Sequence, residues 1–134
     1  MNNNNERFLA LEASATDAAA QGLKTLLILN GGACIALLGF VATLATSEHV
    51  RPEFSEVVPA AARSLIYFAA GAALTAVAWI FAYLSNQRYA NATLNPVMVT
   101  WSWGVNANRL GLLMSAASLS CFVFGIFRLA NALP

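Results

Sequence analysis

Long apolar stretches alternate with short polar ones along this chain, and the first of them sets the reading. Between Lys24 and Glu48 no charged residue occurs, and residues 23–45 are almost wholly apolar. That is about the 20 residues a helix needs to cross a bilayer core. Stretches of the same kind at 60–85 and 110–131 predict a second and a third span. The expected fold is all-α: an integral membrane three-helix bundle forming a single domain over 1–134. A helix over 6–22 should lead into the first span, and a cytoplasmic connection over 86–109 should join the second to the third.

The polar segments refine this outline. Residues 2–5 are four asparagines, expected to fray. From Glu6 to Gly22 the chain is Ala-rich with scattered charges, which favours helix. Phe8, Leu11, Ala15, Ala18 and Ala19 share a side that Glu12 interrupts. No Lys/Arg-rich face of the kind a lipid-surface helix carries is present. A helix running straight into the first span is therefore preferred to one lying on the membrane. Pro59 suits the first turn of the second helix. Asn95-Pro96 suits a helix start before the third span, although Val97, Val99, Trp101 and Trp103 also alternate as a strand would. A cleaved leader ending near Ala45 is not expected, because the preceding segment is long and carries Glu6, Glu12 and Asp17.

Composition sharpens the class. The 134 residues are 59% hydrophobic and 10% charged, against roughly a quarter charged in soluble domains. A net charge of +1 provides no basic face for nucleic acid. Membrane lipid, a second copy of the chain or another membrane protein are the expected partners. Cys34 and Cys121 both fall near the middle of spans, where a thiol acts as a small apolar group. A disulfide between them requires the first and third spans to touch at matching depth. There is no CxxC motif or His/Cys cluster, so neither a metal nor another cofactor is expected. His49, the only histidine, neighbours Glu48, Glu53 and Glu56 in the first loop and is expected to be solvated.

The candidate functional residues are small or weakly polar. In the first span, Asn30-Gly31-Gly32 admits two readings. In one, the glycines let another helix approach while Asn30 hydrogen-bonds across the interface, worth about 1 kcal/mol. In the other, the helix breaks there and its freed carbonyls coordinate an ion or substrate. Gly32, Ala36 and Gly39 fall on one helical face, which favours packing. Ala69, Ala73 and Ala76 form a small-residue seam in the second span. Gly111, Ser115 and Ser118 form one in the third, beside Ala117, Cys121 and Gly125. Arg63 lies in the first turn of the second span, where it can snorkel to water. Trp101 and Trp103 suit either an interfacial aromatic belt, the preferred reading, or a partner-binding surface.

Asn30-Gly31-Gly32-Ala33, Phe68-Ala69-Ala70-Gly71 and Trp101 together resemble small bacterial three-span membrane proteins with no known activity. The resemblance covers most of the chain and implies architecture only.

Orientation follows from the basic residues. Arg7 and Lys24 precede the first span, and Arg88 and Arg109 flank the connection after the second. Arg51, Arg63 and Arg128 fall on the opposite side. This distribution favours an inner-membrane protein with a cytoplasmic N-terminus and an external C-terminus. Enzymatic activity is not expected, since no span carries an acid or histidine that could partner a serine. The same lack argues against proton-coupled export. Two functions remain. One is a structural or interaction subunit, the preferred reading. The other is a channel-like or membrane-permeabilising oligomer, holin-like or toxin-like, lined by Asn30, Thr43, Thr75, Ser115 and Ser118.

Overall fold

A computed structural model describes residues 2–46, 56–94 and 101–132, with side chains placed except at 2–4, 92–94 and 101. The described chain is three α-helices: α1 (Asn2–Thr46), α2 (Val57–Leu94) and α3 (Trp101–Ala130). Each contains a stretch long and apolar enough to cross a membrane, so this is a multi-pass membrane protein. At about 1.5 Å per residue, α1 is roughly 67 Å long, far more than a bilayer core requires. Its N-terminal part runs on without interruption from the first span, as expected for 6–22.

Sequence chemistry explains why the helices run so far. Of the four prolines, only Pro59 lies within a described helix. It is the third residue of α2, where its missing N–H would have no intrahelical acceptor anyway. Gly31 and Gly32 do not break α1, and no described residue has a positive φ. A glycine costs a helix roughly 1 kcal/mol, whereas a backbone group left unpaired in hydrocarbon costs several. The helix therefore persists. Exposed hydroxyls are absorbed by the same rule: Thr25, Thr43, Thr46 and Ser120 each donate to a carbonyl four residues back in their own helix. The connection between α2 and α3 is shorter than 86–109, because α2 continues to Leu94 and α3 is already formed at Trp101. The N-cap expected at Asn95-Pro96 and the loop containing His49 lie outside the described residues.

The helices pack along a shared seven-residue repeat. On α2, Val57, Ala61, Ser64, Phe68, Gly71, Thr75, Ala78 and Ser85 are all buried, at spacings of three, four or seven residues. On α3 the corresponding row is Gly104, Ala107, Gly111, Ser118 and Gly125, and on α1 it is Leu23, Asn30 and Leu37. This is the geometry of left-handed membrane bundles, with small residues at most contact positions so that backbones come close. α2 and α3 are the intimately packed pair. α1 leans mainly on α2 and meets α3 over a short stretch. Leu37, Ala61 and Phe68 form the apolar core, and the Phe68 ring tilts against Phe122 at 5.6 Å between centroids.

Gly125 is where that core is tightest. A Cβ there would lie 2.6 Å from the Phe68 ring, which is buried and held by Phe122. Gly125→Ala is expected to cost about 1–3 kcal/mol, read as thermal unfolding in detergent. In a Phe68→Leu background the penalty should shrink. An equal penalty in both backgrounds would mean that the ring is not what the methyl group meets.

Candidate functional site

The most polar place in the interior is a cluster where all three helices meet. Asn30 of α1, Thr75 of α2 and Ser118 of α3 are each 0–1% exposed. Asn30 Nδ2 donates to Leu26 O at 3.0 Å within its own helix and to Ser118 Oγ at 3.2 Å. Ser118 Oγ lies 2.8 Å from Gly71 O and 2.8 Å from Thr75 Oγ1. A hydroxyl has one proton, so if Ser118 donates to Gly71 O, Thr75 donates either to Ser118 Oγ or to Gly71 O, which lies 3.0 Å from Thr75 Oγ1. Ser118 then accepts from Asn30, and from Thr75 in the first of these arrangements, while donating to α2. One serine thus joins the three helices.

Gly71 makes this meeting possible. A Cβ on Gly71 would lie 2.2 Å from Asn30 Oδ1 and 2.7 Å from its Cγ, so the Asn30 amide fills the space a side chain would take. Among the described residues Asn30 Oδ1 has no hydrogen-bond donor, and the buried Ser64 Oγ has no hydrogen-bond partner. Every amide and hydroxyl proton of the Asn30–Ser118–Thr75 cluster is committed, and one acceptor is left over.

Helix rise sets the depth of the cluster. Arg109 and Arg128 are nineteen residues apart on α3, or about 28 Å, close to the thickness of a hydrocarbon core. Ser118 lies nine residues from one and ten from the other. On α2, Thr75 is similarly central between Arg63 and Arg88. The cluster therefore sits near the bilayer midplane, where an unpaired polar group costs most.

On either side of it α1 and α3 part. Toward Lys24 a groove of about 560 Å³ opens between Leu23, Leu26 and Leu29 on one wall and Gly111, Leu112 and Leu119 on the other. Beyond the cluster a second groove, about 440 Å³, lies between Ala36, Leu37 and Phe40 and Phe122, Ile126 and Leu129. Both are apolar. The polar contact is the point at which α1 crosses α3.

The residues singled out in the sequence are distributed unevenly over this geometry. Asn30, Gly111 and Ser118 are buried and Ser115 is half-buried, donating to Gly111 O at 2.9 Å. Gly31 is half-buried; Gly32, Ala36 and Gly39 are exposed, and a Cβ on any of the three glycines would meet nothing within 4 Å. Ala69, Ala73 and Ala76 also face outward. The inner face of α2 is instead the row containing Gly71 and Thr75. Thr43 is exposed, so the five residues considered as a pore lining do not share a face. Cys34 and Cys121 are both free thiols. Trp103 is exposed, and the Arg88 guanidinium lies 5.1 Å above its ring, a cation–π contact joining α2 to α3. Trp101 opens α3, and its side chain is outside the described residues.

Sequence reading passed over Gly71 as a partner of Asn30, and Ser64 and Ser85 altogether. Ser85 Oγ donates to Gly104 O at 2.9 Å, a second polar tie between α2 and α3. The seven-residue recurrence of small and hydroxyl residues from Ser64 to Ser85 is the signal that finds all three. Comparison with known protein families, characterised proteins and solved structures finds no match. The likeness to small three-span bacterial proteins rests on the quoted residues alone.

The fit of Asn30 over Gly71 is directly testable. Gly71→Ala should displace the amide, break its bond to Ser118 and lower thermal stability by about 1–3 kcal/mol. Adding Asn30→Ala should recover part of that loss, because the methyl group then has room. If the double variant is less stable than Gly71→Ala alone by the full Asn30→Ala penalty, the two residues do not compete for one space.

Proposed function

We propose that this chain is a structural or interaction subunit of a bacterial inner membrane that self-associates through the outward face of α1. The observation that carries the reading is the row Gly32, Ala36 and Gly39, exposed small residues at helical spacing; among the described residues nothing lies within 4 Å of a Cβ on either glycine, and Ala36 borders the groove toward α3. In lipid, apolar side chains gain little by leaving one another's company, so helices associate where backbones can approach closely. A row that permits such approach and stands open in the single chain fits a second helix. Ala69, Ala73 and Ala76 offer a comparable face on α2. In this reading the N-terminus is cytoplasmic and the C-terminus external, as the basic residues favour. The resemblance to small bacterial three-span proteins belongs to the same proposal.

The channel-like alternative draws less support. Asn30, Thr75 and Ser118 spend their protons on one another and on the Leu26 and Gly71 carbonyls inside the bundle, and Thr43 and Ser115 on their own helix backbones. A pore would need these groups to face a shared lumen.

The mass of the purified protein in lipid nanodiscs tests the reading. The wild-type chain should form a discrete oligomer, and Gly32→Leu with Gly39→Leu should shift it to monomer while leaving helicity intact. A monomeric wild-type chain would sink the proposal. Unitary currents across a planar bilayer, lost in Asn30→Ala without loss of stability, would put the channel reading in its place.

A further inference from the structure

At the end of the bundle where α2 begins and α3 finishes, a cleft of about 660 Å³ opens between the two helices. Arg63 enters it from α2 and Arg128 from α3. Neither guanidinium has a hydrogen bond or ion pair among the described residues. At the opposite end, by contrast, Arg88 is engaged by the Trp103 ring. Below the arginines the walls are Tyr67, Phe124 and Phe127, the two phenylalanines 60% and 62% exposed. Asn131 adds an amide at the rim. Glu56 lines the same cleft and opposes an anion, leaving it one positive charge in excess.

Depth matters as much as charge. Arg128 lies nineteen residues, about 28 Å along α3, from Arg109, a separation that suits the two arginines to opposite boundaries between hydrocarbon and headgroups. We propose that this cleft binds the phosphate of an anionic glycerophospholipid, held between Arg63 and Arg128 with its acyl chains along Phe124 and Phe127. Guanidinium forks match phosphate oxygens with paired, charge-assisted hydrogen bonds. The exposed apolar wall beneath argues for a lipid as the source of that phosphate, since a free ion would have no use for it. The site is independent of self-association through α1, which involves neither arginine.

Native mass spectrometry of the purified chain, with phosphatidylglycerol or phosphatidylcholine added, tests the proposal. The wild-type protein should retain phosphatidylglycerol over phosphatidylcholine. Arg63→Gln and Arg128→Gln should each weaken retention by about tenfold. Arg109→Gln, at the other end of α3, should leave it unchanged. Where a glutamine variant loses helicity, the matching lysine variant replaces it: it keeps the charge, loses the fork and should bind in between. Equal retention by wild type and the double variant would overturn the site. So would an equal loss in Arg109→Gln, which would mean diffuse attraction to basic residues. Displacement of phosphatidylglycerol by millimolar inorganic phosphate would uphold the phosphate site and overturn its lipid source.

Discussion

The bundle is shaped by one constraint, that a polar group in hydrocarbon must find its partner inside the protein, and among the described residues only Asn30 Oδ1 and Ser64 Oγ are side-chain atoms buried without one. Lipid tails are as apolar as leucine, so burial of leucines between helices supplies little of the drive it gives in water. What remains is close packing and hydrogen bonding. The Asn30–Ser118–Thr75 cluster uses both together, because the amide reaches Ser118 only where Gly71 has no side chain. Each such interhelical bond is worth about 0.6–1 kcal/mol in a membrane. Their importance lies less in that sum than in register: slipping α1 by one turn would strand an amide near the midplane without a partner, at a cost of several kcal/mol.

Register set at one point explains the uneven closeness of the helices. α2 and α3 pack closely from Ser85 beside Gly104, through Thr75 beside Ser118, to Phe68 in the space that Gly125 leaves open. α1 carries larger side chains on its inner face, Leu23 and Leu37, with Asn30 alone between them reaching both neighbours. It is tied at that depth and diverges from α3 on both sides, which leaves the two apolar grooves. Gly32 and Gly39 then fall on the far side of the helix, where no described residue meets them.

That arrangement also shows which features were legible from the residues. Three spans followed from charge-free length alone, because the bilayer imposes the length. The continuity of α1 through Asn30-Gly31-Gly32 followed less readily, since the glycines argue for a break until the cost of unpaired backbone is weighed. The face that α2 presents inward was misleading. Ala69, Ala73 and Ala76 have the spacing of a packing seam, yet the inward row holds Phe68, a bulky residue accommodated only because Gly125 faces it across the interface. Pairings of large with absent side chains lie between helices, and no single helix records them. The seven-residue recurrence of Ser64, Gly71, Ala78 and Ser85 does record the face, but only when hydroxyl and small residues are counted as one class.

The two ends of the bundle differ in what they ask of their surroundings. Where α2 ends and α3 begins, Arg88 rests on Trp103 and Ser85 ties to Gly104, so that guanidinium and that hydroxyl are met within the chain. Where α2 begins and α3 ends, Arg63 and Arg128 share a cleft without a described partner. A guanidinium at a membrane boundary gains most from phosphate, which the boundary itself supplies at high density. If lipid phosphate meets Arg63 and Arg128 there, the contact would hold the bundle at a defined depth, with the Asn30 cluster kept in the driest layer. There its hydrogen bonds face no competition from water.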